Sequence, residues 1–488
     1  MSAGVIPPAL VLAPLFAAIA SVVAPRHGRI ISILTLGLSI PLALALAAVV
    51  LRDGPVDHVL GGWEAPLGIR LRADGLSVIL LVAVSAIGSA LSVYAGSYFG
   101  TASSGERRRL ACFWPLWLLL MAGLNALFLS SDVFNLYVTL ELVGLSAVAL
   151  VALGGTRRSR RAALRYLFVG LSGSLFYLMG VALLYGGCGT VDVALLGERV
   201  KPDFQSRLAL ALMTGGLLAK GALFPLHFWL PSAHSSAPAP VSAALSALVV
   251  KGAFCILLRL WFGVFDSMLP TAAPQFLGAL GCAAIVWGSV LAMLQNRLKL
   301  LVAYSTVAQI GYLFLAFPLA AGAESRGVVW TGVFTLLLSH ASAKAAMFLA
   351  AGNVIKTCGH DELSKLGAVL RKLPVTMFAV GLAGLSLIGL PPSAGFIGKW
   401  FLLRASIEQG QWWLAAIMLS GGLAATAYIL RILLPAFGGD LPRPRESRVS
   451  SRMKWTAFGL GLASVALGFL AQSVAELVEP LFAKGVGR

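Results

Sequence analysis

The chain has 488 residues, of which 59% are hydrophobic and 11% charged, with a mean hydropathy of +0.90. That balance excludes a soluble globular protein of this size. Apolar runs of the roughly 20 residues needed to cross a bilayer recur from end to end, which predicts an all-α polytopic membrane protein with no separate soluble domain. The net charge of +18 would suit a nucleic-acid binder if it were clustered, and it is not.

The first run, "VIPPALVLAPLFAAIASVVA", has no basic residue ahead of it; the first cation, Arg26, lies on its far side. A cleavable signal peptide begins with basic residues, so the run is expected to be retained as the first span. The length criterion then predicts about fourteen transmembrane helices. They lie near 7–24, 30–51, 75–98, 110–129, 132–153, 165–186, 208–229, 240–262, 274–294, 300–319, 328–352, 374–403, 411–434 and 454–478. Residues 353–373 read as a polar surface helix or loop, and 436–454 as a basic, proline-containing linker.

The loops sort by charge. Those after odd-numbered spans hold Arg26 and Arg29, Arg107 to Arg109, Arg157, Arg158, Arg160, Arg161 and Arg165. Further along they hold Arg297 and Lys299, then Lys356, Lys365, Arg371 and Lys372, then Arg443, Arg445, Arg448, Arg452 and Lys454. Those after even-numbered spans hold fewer cations, together with acids such as Asp53, Asp57, Glu64, Asp192, Glu198 and Asp203. Basic loops stay in the cytoplasm. Both termini are therefore expected on the outer side of a plasma membrane, and the positive charge is topology, not a nucleic-acid footprint.

The five cysteines, Cys112, Cys188, Cys255, Cys282 and Cys358, form no CxxC pair. Zinc and iron–sulfur sites need clustered thiolates, and no disulfide framework is apparent. They read as small hydrophobes. Membrane haem needs histidines on facing helices, and only His227 and His340 are placed near span interiors. No cofactor is expected, and no redox chemistry of the chain's own.

An ionisable residue at a helix centre costs roughly 2.5–3.5 kcal/mol on insertion scales. The few inside the spans are Glu141, Lys220, Lys251, His340, Lys344 and Lys399. Glu141 has no partner nearby in sequence, so one must come from another helix. Lys220 precedes Pro225, which removes a helical hydrogen bond, and Pro231 is expected to add a second interruption. Broken membrane helices are tolerated where the freed backbone faces protein or a wet cavity. A buried amine there, its charged form penalised by desolvation, is suited to taking up and releasing protons. Lys251 lies deep in the next span and is the second candidate carrier. His340 and Lys344 are four apart and share a helix face with Ser339 and Ser342 close by. Lys399 follows a second break at Pro391 and Pro392. Paired interruptions in two halves point to internal repeats with ion sites at the breaks. Spans four to eight and nine to thirteen would be those repeats, inverted because each holds five spans. The expected organisation is 1–109 (spans one to three), 110–262 and 263–435 (the repeats) and 436–488 (linker and last span).

At these residues the sequence resembles the antiporter-like subunits shared by respiratory complex I, membrane-bound hydrogenases and Mrp-type multisubunit Na+/H+ antiporters. The segments are "LYVTLELVGLSAVAL", "LLAKGALFPLHFWLPSAHSSAPAPVSAALS", "NRLKLLVAYSTVAQIGY", "LLLSHASAKAAMFLAAGNV" and "LSLIGLPPSAGFIGKW". The resemblance implies fourteen helices in two inverted repeats and proton passage along a hydrated axis. On it Glu141 pairs with Lys220, Lys251 is the eighth-helix relay, Lys299, His340 and Lys344 continue the axis, and Lys399 exchanges protons with one membrane face. It implies partner membrane subunits, with H+ and Na+ or K+ as the ions. Lys399 departs from the M-type complex I subunit, which has a glutamate there. The L type would carry a long C-terminal lateral helix, and the N type lacks the "APAPVSAALSALVVK" wording. "GGWEAPLGIRLRADGLSVILL" is most similar to the D type of Mrp antiporter subunit. A complex I-like or hydrogenase-like subunit is the alternative, and a quinone pocket has no sequence signal that would reveal it.

Overall fold

A computed structural model describes residues 3–66, 68–100, 111–321, 326–367, 369–438 and 449–482. Among these, eleven helices are long and apolar enough to cross a membrane, and shorter apolar helices lie at Phe113–Leu129 and Pro374–Ile388. The chain is a multi-pass membrane protein. The loop cations Arg107 to Arg109 and Arg443, Arg445 and Arg448 lie outside the described residues.

In chain order the helices are α1 (Ile6–Val23), α2 (Gly28–Asp53), α3 (Gly75–Tyr98), α4 (Phe113–Leu129), α5 (Val133–Ala152) and α6 (Arg157–Cys188). Next come α7 (Phe204–Lys220), α8 (Leu230–Ser236), α9 (Ala239–Val264), α10 (Ala272–Leu294), α11 (Leu298–Ala320) and α12 (Arg326–Cys358). The last are α13 (Pro374–Ile388), α14 (Ala394–Glu408), α15 (Trp412–Phe437) and α16 (Ser451–Ala466). Each expected span falls on one helix, with three exceptions: 208–229 covers α7 and the break that separates it from α8, 374–403 covers α13 and α14, and 454–478 continues past α16 through a turn at Leu467–Leu470 into the helix Ala471–Phe482. A short antiparallel hairpin, β1 (Val56–Val59) with β2 (Arg70–Ala73), precedes α3 and pairs Val56 with Ala73.

Three local readings change. Pro231 does not interrupt a helix. It sits in the first turn of α8, where its missing N–H has no intrahelical partner to lose. The break belongs to Gly221, Ala222 and Pro225: Ala222 adopts φ 54, a left-handed conformation costly for a residue with a Cβ. The polar stretch 353–373 begins inside α12, which runs on to Cys358. Asn353 is buried there and accepts from the Tyr94 hydroxyl at 3.1 Å. Lys299, counted as a loop cation, is a buried first-turn residue of α11.

The chain divides into two compact units. The first holds residues 1–89, 104–222 and 248–273. Its tightest seam joins α6 and α7. A Cβ on Gly216 would lie 2.2 Å from the Gly173 carbonyl oxygen, and one on Gly180 2.3 Å from Met213, so glycine lets the two backbones close together. Ahead of α3, Asp74 caps its first turn through Ser77, and Arg259 donates to Asp74 at 3.0 Å, to Ser77 and to the Phe128 carbonyl. The second unit holds residues 90–103, 223–247 and 274–488. There α12 is buried along almost its whole length and packs on α13, α14 and α16. Gly281 and Gly311 bring α10 and α11 together by the same close approach.

Candidate functional site

In the first unit the α7 helix ends on Lys220 because Gly221 and the left-handed Ala222 carry the chain out of the helix. The Lys220 ammonium meets the Glu141 carboxylate of α5, and the same oxygen accepts the Ser174 hydroxyl of α6. Three helices thus converge on one carboxylate. The side chains are 8% and 17% exposed for Lys220 and Glu141, so the charges are drawn largely out of solvent but not sealed. A cavity of about 30 Å³ reaches them, lined by Leu140, Gly144, Tyr166, Leu167 and Ala253 besides the pair. A space of that size admits one water molecule. The chemistry such an arrangement offers is proton exchange on an amine whose counter-charge is fixed and beside which there is room for one water molecule. Lys251 is buried in α9, two residues beyond a turn at Leu245–Val249 wound with i→i+5 hydrogen bonds, a local widening frequent at functional sites.

In the second unit Lys299 and Lys344 are held by neutral oxygens. Lys299 donates to the Ala237 carbonyl at 2.5 Å. Lys344 donates to the Ser305 hydroxyl and to the Val302 carbonyl at 3.2 Å. The Thr306 hydroxyl of the same turn bonds Ser246 at 2.9 Å. His340 is buried one turn before Lys344. Ser339 does not join Lys344: it bonds Ser386 at 2.5 Å, and Ser386 donates to the Ser464 carbonyl. The polar face expected around His340 is therefore shared between two neighbouring helices.

The second break is built by Gly389, at φ +89 after the end of α13, then Pro391 and Pro392, and Ser393, which caps α14. The break frees the carbonyls of Leu387 and Ile388. Lys399 donates to them at 2.7 and 3.1 Å and lies 4.4 Å from the centre of the Tyr312 ring. Gln309 donates to the same Leu387 carbonyl at 3.0 Å. This is the arrangement in which unwound membrane backbone is satisfied by protein.

Four residues at these sites carry no clear mark in the sequence. Ser174, Gln309 and Tyr312 are neutral, and neutral polar residues are too common in membrane helices to stand out. His234 is not among the histidines expected in a span interior, yet it is fully buried and stacks on Phe348 at 4.8 Å. Its place in the wording "WLPSAH" beside a break is the available signal.

The family described as NADH:quinone oxidoreductase/Mrp antiporter, TM, matches residues 130–424, a range that includes Glu141, Lys220, Lys251, Lys299, His340, Lys344 and Lys399. The chain belongs to that family. Among its relatives, NADH-quinone oxidoreductase subunit N of Desulforudis audaxviator (strain MP104C) is 39% identical over 406 residues, 82% of this chain and 79% of that one. The D-type Na(+)/H(+) antiporter subunit of Bacillus subtilis (strain 168) is 28% identical over 482 residues, 96% of this chain and 94% of that one. A chain of the Mrp complex from Dietzia sp. DQ12-45-1b superposes with a TM-score of 0.89 at 26% identity, covering 99% of this chain and 98% of that one. The N-terminal segment carrying "GGWEAPLGIRLRADGLSVILL" precedes residue 130, so its likeness to the family rests on these longer matches.

Proposed function

We propose that this chain is the proton-translocating subunit of a multisubunit cation/proton antiporter of the Mrp D-like type, exchanging protons for Na+ or K+. The observation that carries the reading is the Lys220–Glu141 pair set at a helix break inside the membrane. Isolated charges there are expensive, and a structural contact between membrane helices is worth well under 2 kcal/mol on average. Stability alone is a poor reason for such a pair. The full-length similarity to a D-type antiporter subunit and to a chain of an Mrp complex supports partners that are other membrane subunits.

The proposed step is simple. Protonated Lys220 is held by Glu141. Transfer of one N–H proton onward leaves a neutral amine and an unpaired carboxylate, a state that favours the arrival of the next proton. Lys251, Lys299, His340 and Lys344 are the proposed carriers beyond it, and Lys399 the exchange group at the second break. The basic loops favour both termini outside, and in this reading protons flow inward as Na+ or K+ leaves.

The test is dye-monitored proton uptake into vesicles carrying the assembled complex. Lys220→Ala and Glu141→Ala should each abolish Na+- or K+-dependent uptake while the complex still assembles. Undiminished uptake in both variants overturns the proposal. The 39% identity to a subunit N favours one second reading, a proton-pumping subunit of a respiratory complex. There the driving force is a redox reaction elsewhere and protons leave the cell. Uptake that needs NADH, not a cation gradient, would select it.

A further inference from the structure

An apolar groove of about 470 Å³ lies in the second unit, far in sequence from the Lys220–Glu141 pair. Its walls are the start of α13 (Pro374, Phe378), the end of α15 (Leu433, Phe437) and the start of α16 (Trp455, Phe458). Phe458 stacks on Phe378 at 5.9 Å and meets Trp455 edge-on at 5.3 Å. Phe437 and Trp455 are 65% and 58% exposed, so large aromatic faces stand open around the slot. Gly381 lines it, and a Cβ there would meet nothing within 4 Å.

Because two helix starts and one helix end line it, the groove lies at one end of these helices, near a single membrane face. Cations cluster along the chain at that end. Lys372 lies two residues before Pro374, with Arg371 beside it, while Arg452 and Lys454 occupy the first turn of α16. Arg452 is three residues from Trp455 and shares its side of the helix. None of the four has an acidic partner among the described residues. The N-termini of α13 and α16 add their positive dipole ends. A partner helix is a poor occupant, since membrane helix contacts favour small residues at the seam and this rim is built of large aromatic rings. An acyl chain fits a narrow apolar slot, and a phosphate diester fits four cations and two helix starts.

We infer that this groove is a binding site for one anionic phospholipid, its acyl chain between α13, α15 and α16 and its headgroup on Lys372, Arg452 and Lys454. The inference is independent of the proton-transport reading.

The full-length protein in nanodiscs, and its complex purified from native membranes, would be titrated with brominated phosphatidylglycerol or brominated phosphatidylcholine. The signal is the part of the tryptophan quenching that Trp455→Phe removes. Phosphatidylglycerol should quench it at a several-fold lower mole fraction than phosphatidylcholine. Arg452→Gln with Lys454→Gln should weaken that preference by roughly fivefold per cation removed. Gly381→Leu, which fills the slot without touching the charges, should abolish the high-affinity phase. Equal quenching by both lipids overturns the proposal, as does quenching indifferent to Gly381→Leu. Loss of Trp455 quenching by either lipid in the assembled complex also overturns it, because a partner subunit would then cover the groove.

Discussion

Lys220 and Ser174 donate to the same oxygen of Glu141, so one carboxylate of α5 ties together the end of α7 and the middle of α6. Removing one member of a buried pair leaves an uncompensated charge, at a cost of about 3–5 kcal/mol. Lys220→Met and Glu141→Gln should each lower the thermal stability of the detergent-solubilised protein. The double variant should be less destabilised than the sum of the two, by a coupling of about 1–3 kcal/mol. Additive losses would show that the two side chains do not interact in the membrane-extracted protein.

Ser174 separates positioning from charge. Ser174→Ala removes one donor to a charged acceptor, worth about 1.5–3 kcal/mol, while the ion pair stays intact. Proton uptake should slow roughly tenfold or more without vanishing, and Ser174→Thr should restore much of it. A rate equal to that of the unsubstituted protein would remove the hydroxyl from the site.

The glycine seam is a mechanical prediction. A Cβ on Gly216 would stand 2.2 Å from the Gly173 carbonyl oxygen, and neither backbone has a flexible side chain that could give way. Gly216→Ala should therefore destabilise by about 1–3 kcal/mol through overpacking. It should also reduce transport, because Lys220 lies four residues further along the same helix. Gly215→Ala is the control: open space surrounds that position, so its thermal midpoint and transport should both stay near those of the starting protein.

Asp74 and Arg259 hold the start of α3 to the end of α9, each side chain about one-tenth exposed. Asp74→Ala leaves the guanidinium with the Ser77 hydroxyl and the Phe128 carbonyl alone. The cost expected is about 3–5 kcal/mol, read as a lowered unfolding temperature, while protein that remains folded should transport at the usual rate per molecule. A transport defect at full stability would instead place Asp74 on the proton route.

How much of this is legible along the chain follows from range. Hydropathy is local, so the spans can be read directly, and the breaks follow from Pro225 and from Pro391 with Pro392. Pro231 misleads because proline has opposite effects inside a helix and in its first turn, and composition does not tell the two apart. The Glu141 partner is 79 residues away and only resemblance supplies it. Tyr312, Gln309 and Ser174 matter only because of what faces them, which no pattern along the chain encodes.

The second break gives the sharpest remaining test. Lys399 sits between two freed carbonyls and the Tyr312 ring. A desolvated ammonium over an aromatic face gains about 2 kcal/mol, and Tyr312 also donates its hydroxyl to the Met418 carbonyl at 2.9 Å. Tyr312→Phe keeps the ring and loses that bond; Tyr312→Leu loses both. If the ring holds the ammonium, Tyr312→Leu should slow proton uptake by roughly tenfold or more, and Tyr312→Phe should change stability more than rate. Lys399→Met should abolish uptake altogether. Equal rates for the Phe and Leu variants would mean that the carbonyls of Leu387 and Ile388 suffice to position Lys399, and the ring would then be packing alone.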